Sequence, residues 1–147
     1  MSVHEIEILL IEDSVSDAEL TIRALKKHNM ANKLVHLENG AEALDYLFAK
    51  GAYSDREVRN VPKLILLDLN MPKIGGIEVL KQIKEQELTR KIPVIILTSS
   101  KQDPDIDKCY DLGANSYVVK PVGFESFMKA VSELGMYWML INQPPSR

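Results

Sequence analysis

Residues 64–76 read Leu-Ile-Leu-Leu-Asp-Leu-Asn-Met-Pro-Lys-Ile-Gly-Gly. The run Leu64-Ile65-Leu66-Leu67 is short and wholly apolar, follows Pro62-Lys63, and is cut off by Asp68. A strand covered on both faces has this composition, because neither set of its alternating side chains meets water. Three more runs share the pattern: Ile6-Glu7-Ile8-Leu9-Leu10-Ile11, Val94-Ile95-Ile96-Leu97 and Tyr117-Val118-Val119. A weaker, alternating run, Lys33-Leu34-Val35-His36-Leu37, suits a strand nearer an edge.

Helical periods lie between these runs. Val15, Ala18, Ile22 and Leu25 share one face of a helix, with Ser14 as N-cap and Asp17 in its first turn. Ala43, Leu44, Leu47 and Phe48 mark a second helix after Gly40, and Ile77, Leu80 and Ile83 a third after Gly75-Gly76. A fourth begins near Asp103-Pro104, where proline suits a first turn, and carries Ile106, Cys109 and Ala114. Phe124, Phe127, Met128, Val131 and Leu134 mark a fifth. Strand and helix thus alternate five times, which predicts an α/β fold with a doubly wound parallel sheet. The 147 residues fit one domain, with an extended polar loop at 50–62 and an apolar C-terminal extension at 135–147.

Composition narrows the function classes. A net charge of -3 gives no basic footprint for nucleic acid. No apolar run nears the roughly 18 residues of a membrane span. The N-terminus has no basic n-region, and the single cysteine excludes an internal disulfide framework, so a cytoplasmic protein is expected.

Right-handed crossovers put the C-terminal ends of all strands on one edge, where ligands of such sheets bind. Here those ends carry Glu12-Asp13, Asp68, Thr98-Ser99-Ser100 and Lys120-Pro121. Three crowded carboxylates repel one another and call for a cation. All-oxygen ligation suits Mg²⁺, with Asp13 and Asp68 as direct ligands, Glu12 reaching through a water, and the backbone carbonyl of Asn70 as a further donor. A carboxylate is a documented phosphoryl acceptor. Asp68 is the candidate, with Mg²⁺, Lys120 and the Thr98 hydroxyl placed to stabilise the charge of the transferring group. Pro72 and Gly75-Gly76 would let the following loop approach closely.

The set Glu12-Asp13, Asp68-Leu69-Asn70-Met71-Pro72, Gly75-Gly76, Thr98-Ser99, Tyr117 and Lys120-Pro121 resembles the response-regulator receiver domain, the CheY-like fold of two-component signalling. The likeness covers about residues 5–134 and implies strand order 2-1-3-4-5. It implies that Asp68 takes a phosphoryl group from a sensor histidine kinase, with Mg²⁺ at Asp13, Asp68 and the Asn70 carbonyl. It also implies that Thr98 moves toward the phosphate, that Tyr117 turns inward, and that the Lys120-Pro121 bond is cis. One departure is the Glu-Asp pair, where Asp-Asp is common in the family. The long loop at 50–62, Asp68–Lys73 and the apolar extension look like the subfamily paired with bacterial and cyanobacterial phytochromes, whose members are single-domain and often dimeric.

Each residue also has a plainer reading. Asp68 could cap a turn, Glu12-Asp13 could open a helix, Thr98 could be a strand hydroxyl and Lys120 a solvated loop lysine; their common register on one rim favours the site. Tyr117 could be simple strand packing. Cys109 is expected in the core, and His4, His28 and His36 as surface or structural residues. The apolar stripe through Leu134, Trp138 and Ile141 is expected to serve homodimerisation or kinase docking. A haloacid-dehalogenase-type phosphohydrolase also uses a strand-end Asp, but it needs an acid two residues on, where Asn70 has no proton to give. A nucleotide-binding domain is disfavoured because no Gly-rich phosphate loop follows the first strand.

Overall fold

The computed structural model describes residues 8–27, 33–71, 74–99 and 102–133. Five parallel strands, β1 (Ile8–Ile11), β2 (Leu34–Leu37), β3 (Leu64–Asp68), β4 (Val94–Thr98) and β5 (Ser116–Val119), form one sheet in the order β2-β1-β3-β4-β5. Between and after them run α1 (Val15–Lys26), α2 (Gly40–Leu47), α3 (Gly76–Glu85), α4 (Asp105–Asp111) and α5 (Phe124–Glu133). The expected fold class and strand order are those observed. The C-terminal extension, Pro72, Ser100, His4 and His28 lie outside the described residues.

Strand alternation explains the two layers of core. Leu9, Ile11, Ile65, Leu67, Val94 and Ile96 point to one face and pack with α2, α3 and α4 through Ala43, Leu47, Val79, Ile83 and Cys109. Ile8, Leu10, Leu64, Leu66, Ile95 and Leu97 point to the other and pack with α1 and α5 through Ala18, Leu25, Phe127 and Val131. Every residue of β1, β3 and β4 is buried, as their apolar runs require. Each such Leu or Ile contributes roughly 1.5–3 kcal/mol by leaving water.

β5 departs from its expected burial on both faces. Ser116 and Val118 are buried but Tyr117 and Val119 only partly, because β5 is an edge strand like β2. The 50–62 loop is more ordered than its polarity suggests. It contains a 3-10 turn at Gly51–Tyr53, and the Arg56 guanidinium lies 4.0 Å from the centre of the Tyr46 ring.

Local chemistry sets the helix starts near the sheet edge. The Ser14 side chain accepts the Asp17 amide at 3.1 Å and caps α1 as expected. α2 begins at Gly40 itself, because Asn39 Oδ1 accepts the Glu42 amide at 2.8 Å. Gly76 opens α3 hard against the end of β3. A Cβ there would stand 2.5 Å from the Asp68 carbonyl oxygen and 2.9 Å from Leu69 Cα, so only glycine permits the approach. Gly75 is under no such constraint.

Candidate functional site

Register gathers the polar strand ends. Ile11 pairs with Leu67, so Glu12 follows β1 beside Asp68; Asp68 pairs with Leu97 and Thr98 with Val119, which brings Lys120 to the same rim. Backbone bonds extend the ladder beyond the strands: the Glu12 amide donates to Leu37 O at 3.0 Å and the Lys120 amide to Thr98 O at 2.7 Å. The Lys120–Pro121 peptide bond is cis.

Among the described residues, Glu12, Asp13 and Asp68 place carboxylate oxygens within 4.8 Å of one another. Glu12 is fully buried and Asp68 is 2% exposed. The Lys120 ammonium reaches into this cluster, at 3.1 Å from Glu12 Oε1 and 3.2 Å from Asp68 Oδ1. It also lies 3.0 Å from Asp17 Oδ2. Three carboxylates therefore surround one ammonium, and a fourth, Asp13, crowds Glu12 and Asp68.

The electrostatic result is strain on one group. Burial, then the charge of Glu12 and hydrogen bonding with Glu12 and Asp13, push the Asp68 pKa up to about 7, against the pull of Lys120. Burial also works against the charge on Lys120. The Asp17 and Glu12 carboxylates outweigh it and hold the ammonium above the ordinary lysine range. A set of three oxygen-bearing acids, two of them buried, fits a hard divalent cation, whose charge would relieve the mutual repulsion.

The remaining expected residues sit around this centre. Thr98 is fully buried, and its hydroxyl donates to Asp103 Oδ2 at 3.3 Å. Tyr117 is half-buried on β5 and meets Tyr110 edge-on at 6.4 Å between ring centres. Asn70, two residues beyond Asp68, is exposed. His36 has a defined structural place: its Nε2 lies 2.8 Å from the Glu12 carbonyl oxygen, which can only accept, so that nitrogen carries the proton.

Two further residues here carry only helix-start signals in the sequence. Asp17 is a first-turn acid of α1 that also pairs with Lys120. Its signal was its place one helical turn beyond the acidic pair. Asp103 precedes α4 and holds Thr98, a contact that no local spacing announces.

Comparison with known proteins agrees with this geometry. Residues 8–132 match the response regulator receiver domain. The chain is 40% identical over 138 residues to the probable methanogenesis regulatory protein FilR2 of Methanothrix harundinacea (strain 6Ac), covering 94% of this chain and 86% of that protein. It is 36% identical over 132 residues to response regulator Rcp1 of Synechocystis sp. (strain ATCC 27184 / PCC 6803 / Kazusa), covering 90% and 88%. The Mn²⁺-bound structure of Rcp1 superposes with a TM-score of 0.73 at 35% identity, covering 95% of this chain and 98% of that one. The bacteriophytochrome response regulator AtBRR superposes with a TM-score of 0.84 at 46% identity, covering 95% and 99%. The finer likeness expected from the sequence, to response regulators associated with phytochromes, is thus also present in the solved structures. The chain belongs to the response-regulator receiver domain family.

Proposed function

We propose that this chain accepts a phosphoryl group on Asp68 from the phosphohistidine of a sensor histidine kinase, in a Mg²⁺-dependent reaction in the cytoplasm. The observation that carries the reading is the placement of Asp68: buried at the end of β3, within 4.8 Å of the Glu12 and Asp13 carboxylates and 3.2 Å from the Lys120 ammonium.

An Asp68 oxygen attacks phosphorus while the bond from phosphorus to the histidine nitrogen breaks. The electron pair of that bond stays with the imidazole, and an acyl phosphate forms on Asp68. Lys120 offers its ammonium to a transferring oxygen, and the Thr98 hydroxyl does the same once it turns from Asp103. Asp13, Asp68 and the Asn70 carbonyl would hold Mg²⁺, with Glu12 acting through a water. The bound ion would neutralise the acids and the developing charge on the phosphoryl oxygens. Asn70 offers no proton to a leaving group, so the chain keeps the phosphoryl group as a signal rather than turning over a phosphomonoester; its only catalysis is its own phosphorylation and slow dephosphorylation.

The added group brings about -1.5 to -2 charges. Drawing Thr98 toward it would free space for Tyr117 to turn inward from the edge strand, and this changes the surface shown to partners. The similarity to the bacteriophytochrome response regulator AtBRR supports a phytochrome-type kinase as donor. The test uses acetyl phosphate and Mg²⁺ with purified protein. Wild-type chain should take up one hydroxylamine-labile phosphoryl group and Asp68→Asn none; equal labelling of the two would sink the proposal.

A further inference from the structure

The rim contains one carboxylate that the receiver chemistry above does not use. Asp17 Oδ2 makes the shortest of the three ion pairs of Lys120, at 3.0 Å. Its backbone is fixed at both ends: Ser14 Oγ accepts its amide at 3.1 Å, and the Thr21 hydroxyl donates to its carbonyl at 3.0 Å. Ser14 in turn donates its own amide to Glu12 Oε2 at 3.2 Å, while Lys120 Nζ donates to Glu12 Oε1 at 3.1 Å. Glu12, Ser14, Asp17 and Lys120 therefore close a ring of hydrogen bonds that ties the ammonium to the first turn of α1 as well as to the sheet.

We propose that Asp17 is a positioning residue for Lys120, and that the capped start of α1 sets where the ammonium meets the phosphoryl group arriving at Asp68. The inference rests on the reading of Asp68 as phosphoacceptor. A lysine stem has four rotatable carbons, and two buried carboxylates deep in the site would draw its charge inward. Asp17 is 39% exposed and pulls from the mouth of the site, so Nζ is suspended between Asp17 and the Glu12–Asp68 pair. Glu12 and Asp68 are buried, so a phosphoryl donor would approach from the more exposed side, where Asp17 stands. Glu12 and Asp68 hold the ammonium low, and Asp17 keeps it at the level of the incoming oxygens.

The test compares maximal labelling rate and donor half-saturation for acetyl phosphate at saturating Mg²⁺. Asp17→Asn should lower the maximal rate about tenfold, within the roughly hundredfold that a misplacement of about 1 Å can cost. Half-saturation should stay within about twofold, as for a contact completed in the transition state. Asp17→Glu, which still reaches Lys120, should keep at least about half of the wild-type rate. In a Lys120→Met background, Asp17→Asn should change the residual rate by less than about twofold, because its effect runs through the ammonium. Asp17→Ser repeats the comparison with a second neutral side chain. The inference is overturned if Asp17→Asn labels at the wild-type rate, if Asp17→Glu is as slow as Asp17→Asn, or if the loss persists without Lys120. An unlabelled wild-type chain would overturn the phosphoacceptor reading, and this inference with it.

Discussion

Two polar clusters flank the sheet edge, and they differ in how their charges are satisfied. In the cluster between α2 and the 50–62 loop, Tyr53, Glu42 and Arg56 are each partnered. The Tyr53 hydroxyl donates to Glu42 Oε2 at 2.7 Å, and Arg56 lies over the Tyr46 ring while donating to the carbonyls of Tyr46 and Asn60. That hydrogen bond to Glu42, with burial, pushes the Tyr53 pKa up to about 12, so the hydroxyl stays a neutral donor at physiological pH. In the rim cluster, three carboxylates share one ammonium, and Asp68 is pushed up to about 7. A satisfied network stabilises a fold; a crowded one stores free energy that a cation or a covalent change at the site releases. The contrast sets the rim, where Asp68 is held above its ordinary range, apart from the loop, where Tyr53 and Arg56 are paired.

The largest expected effect comes from removing the crowding. The folded-state pKa of Asp68 lies above its ordinary 3.8, so its protonated form is favoured by the fold. The stability it contributes is fully present below about pH 4 and is lost as pH rises through about 7. In cation-free buffer at pH 8, Asp68→Asn should therefore be more stable than wild type by about 2–4 kcal/mol, at 1.36 kcal/mol per pKa unit. The gap should shrink toward pH 4 and when Mg²⁺ is added. Urea melts of both proteins across this range check it, and a less stable Asp68→Asn at pH 8 would break the comparison.

The loop cluster should respond in the opposite sense. Arg56→Ala removes a cation–π contact and two hydrogen bonds and should cost about 1–2 kcal/mol. Its phosphoryl uptake should stay within about twofold of wild type. Tyr53→Phe removes one hydrogen bond and should cost about 0.5–1 kcal/mol in the same melts. A large loss of labelling in either variant would show that the two clusters are not separate.

Much of this arrangement was legible in the sequence, because a parallel sheet imposes it. Runs such as Leu64–Leu67 and Val94–Leu97 had to be buried on both faces, and the shared direction of their strands had to collect Glu12, Asp13, Asp68, Thr98 and Lys120 on one edge. What escaped depended on contacts between distant residues. Lys120 finds Asp17 across 103 positions, a pairing that the three-dimensional fold makes and no local motif announces. The order in the 50–62 loop rests on Tyr46, in the preceding helix. The partial exposure of Tyr117 followed from the edge position of β5, which its apolar composition concealed.

The central claim is that Asp68, and no other acid of the crowded rim, becomes the acyl phosphate. Phosphorylated chain can be trapped with borohydride, which reduces an aspartyl phosphate to homoserine, and then mapped by peptide mass spectrometry. The account predicts homoserine at position 68 in a Mg²⁺-dependent yield. Homoserine at Asp13 or Asp17, a reduced Glu12, or no reduced residue at all would contradict it.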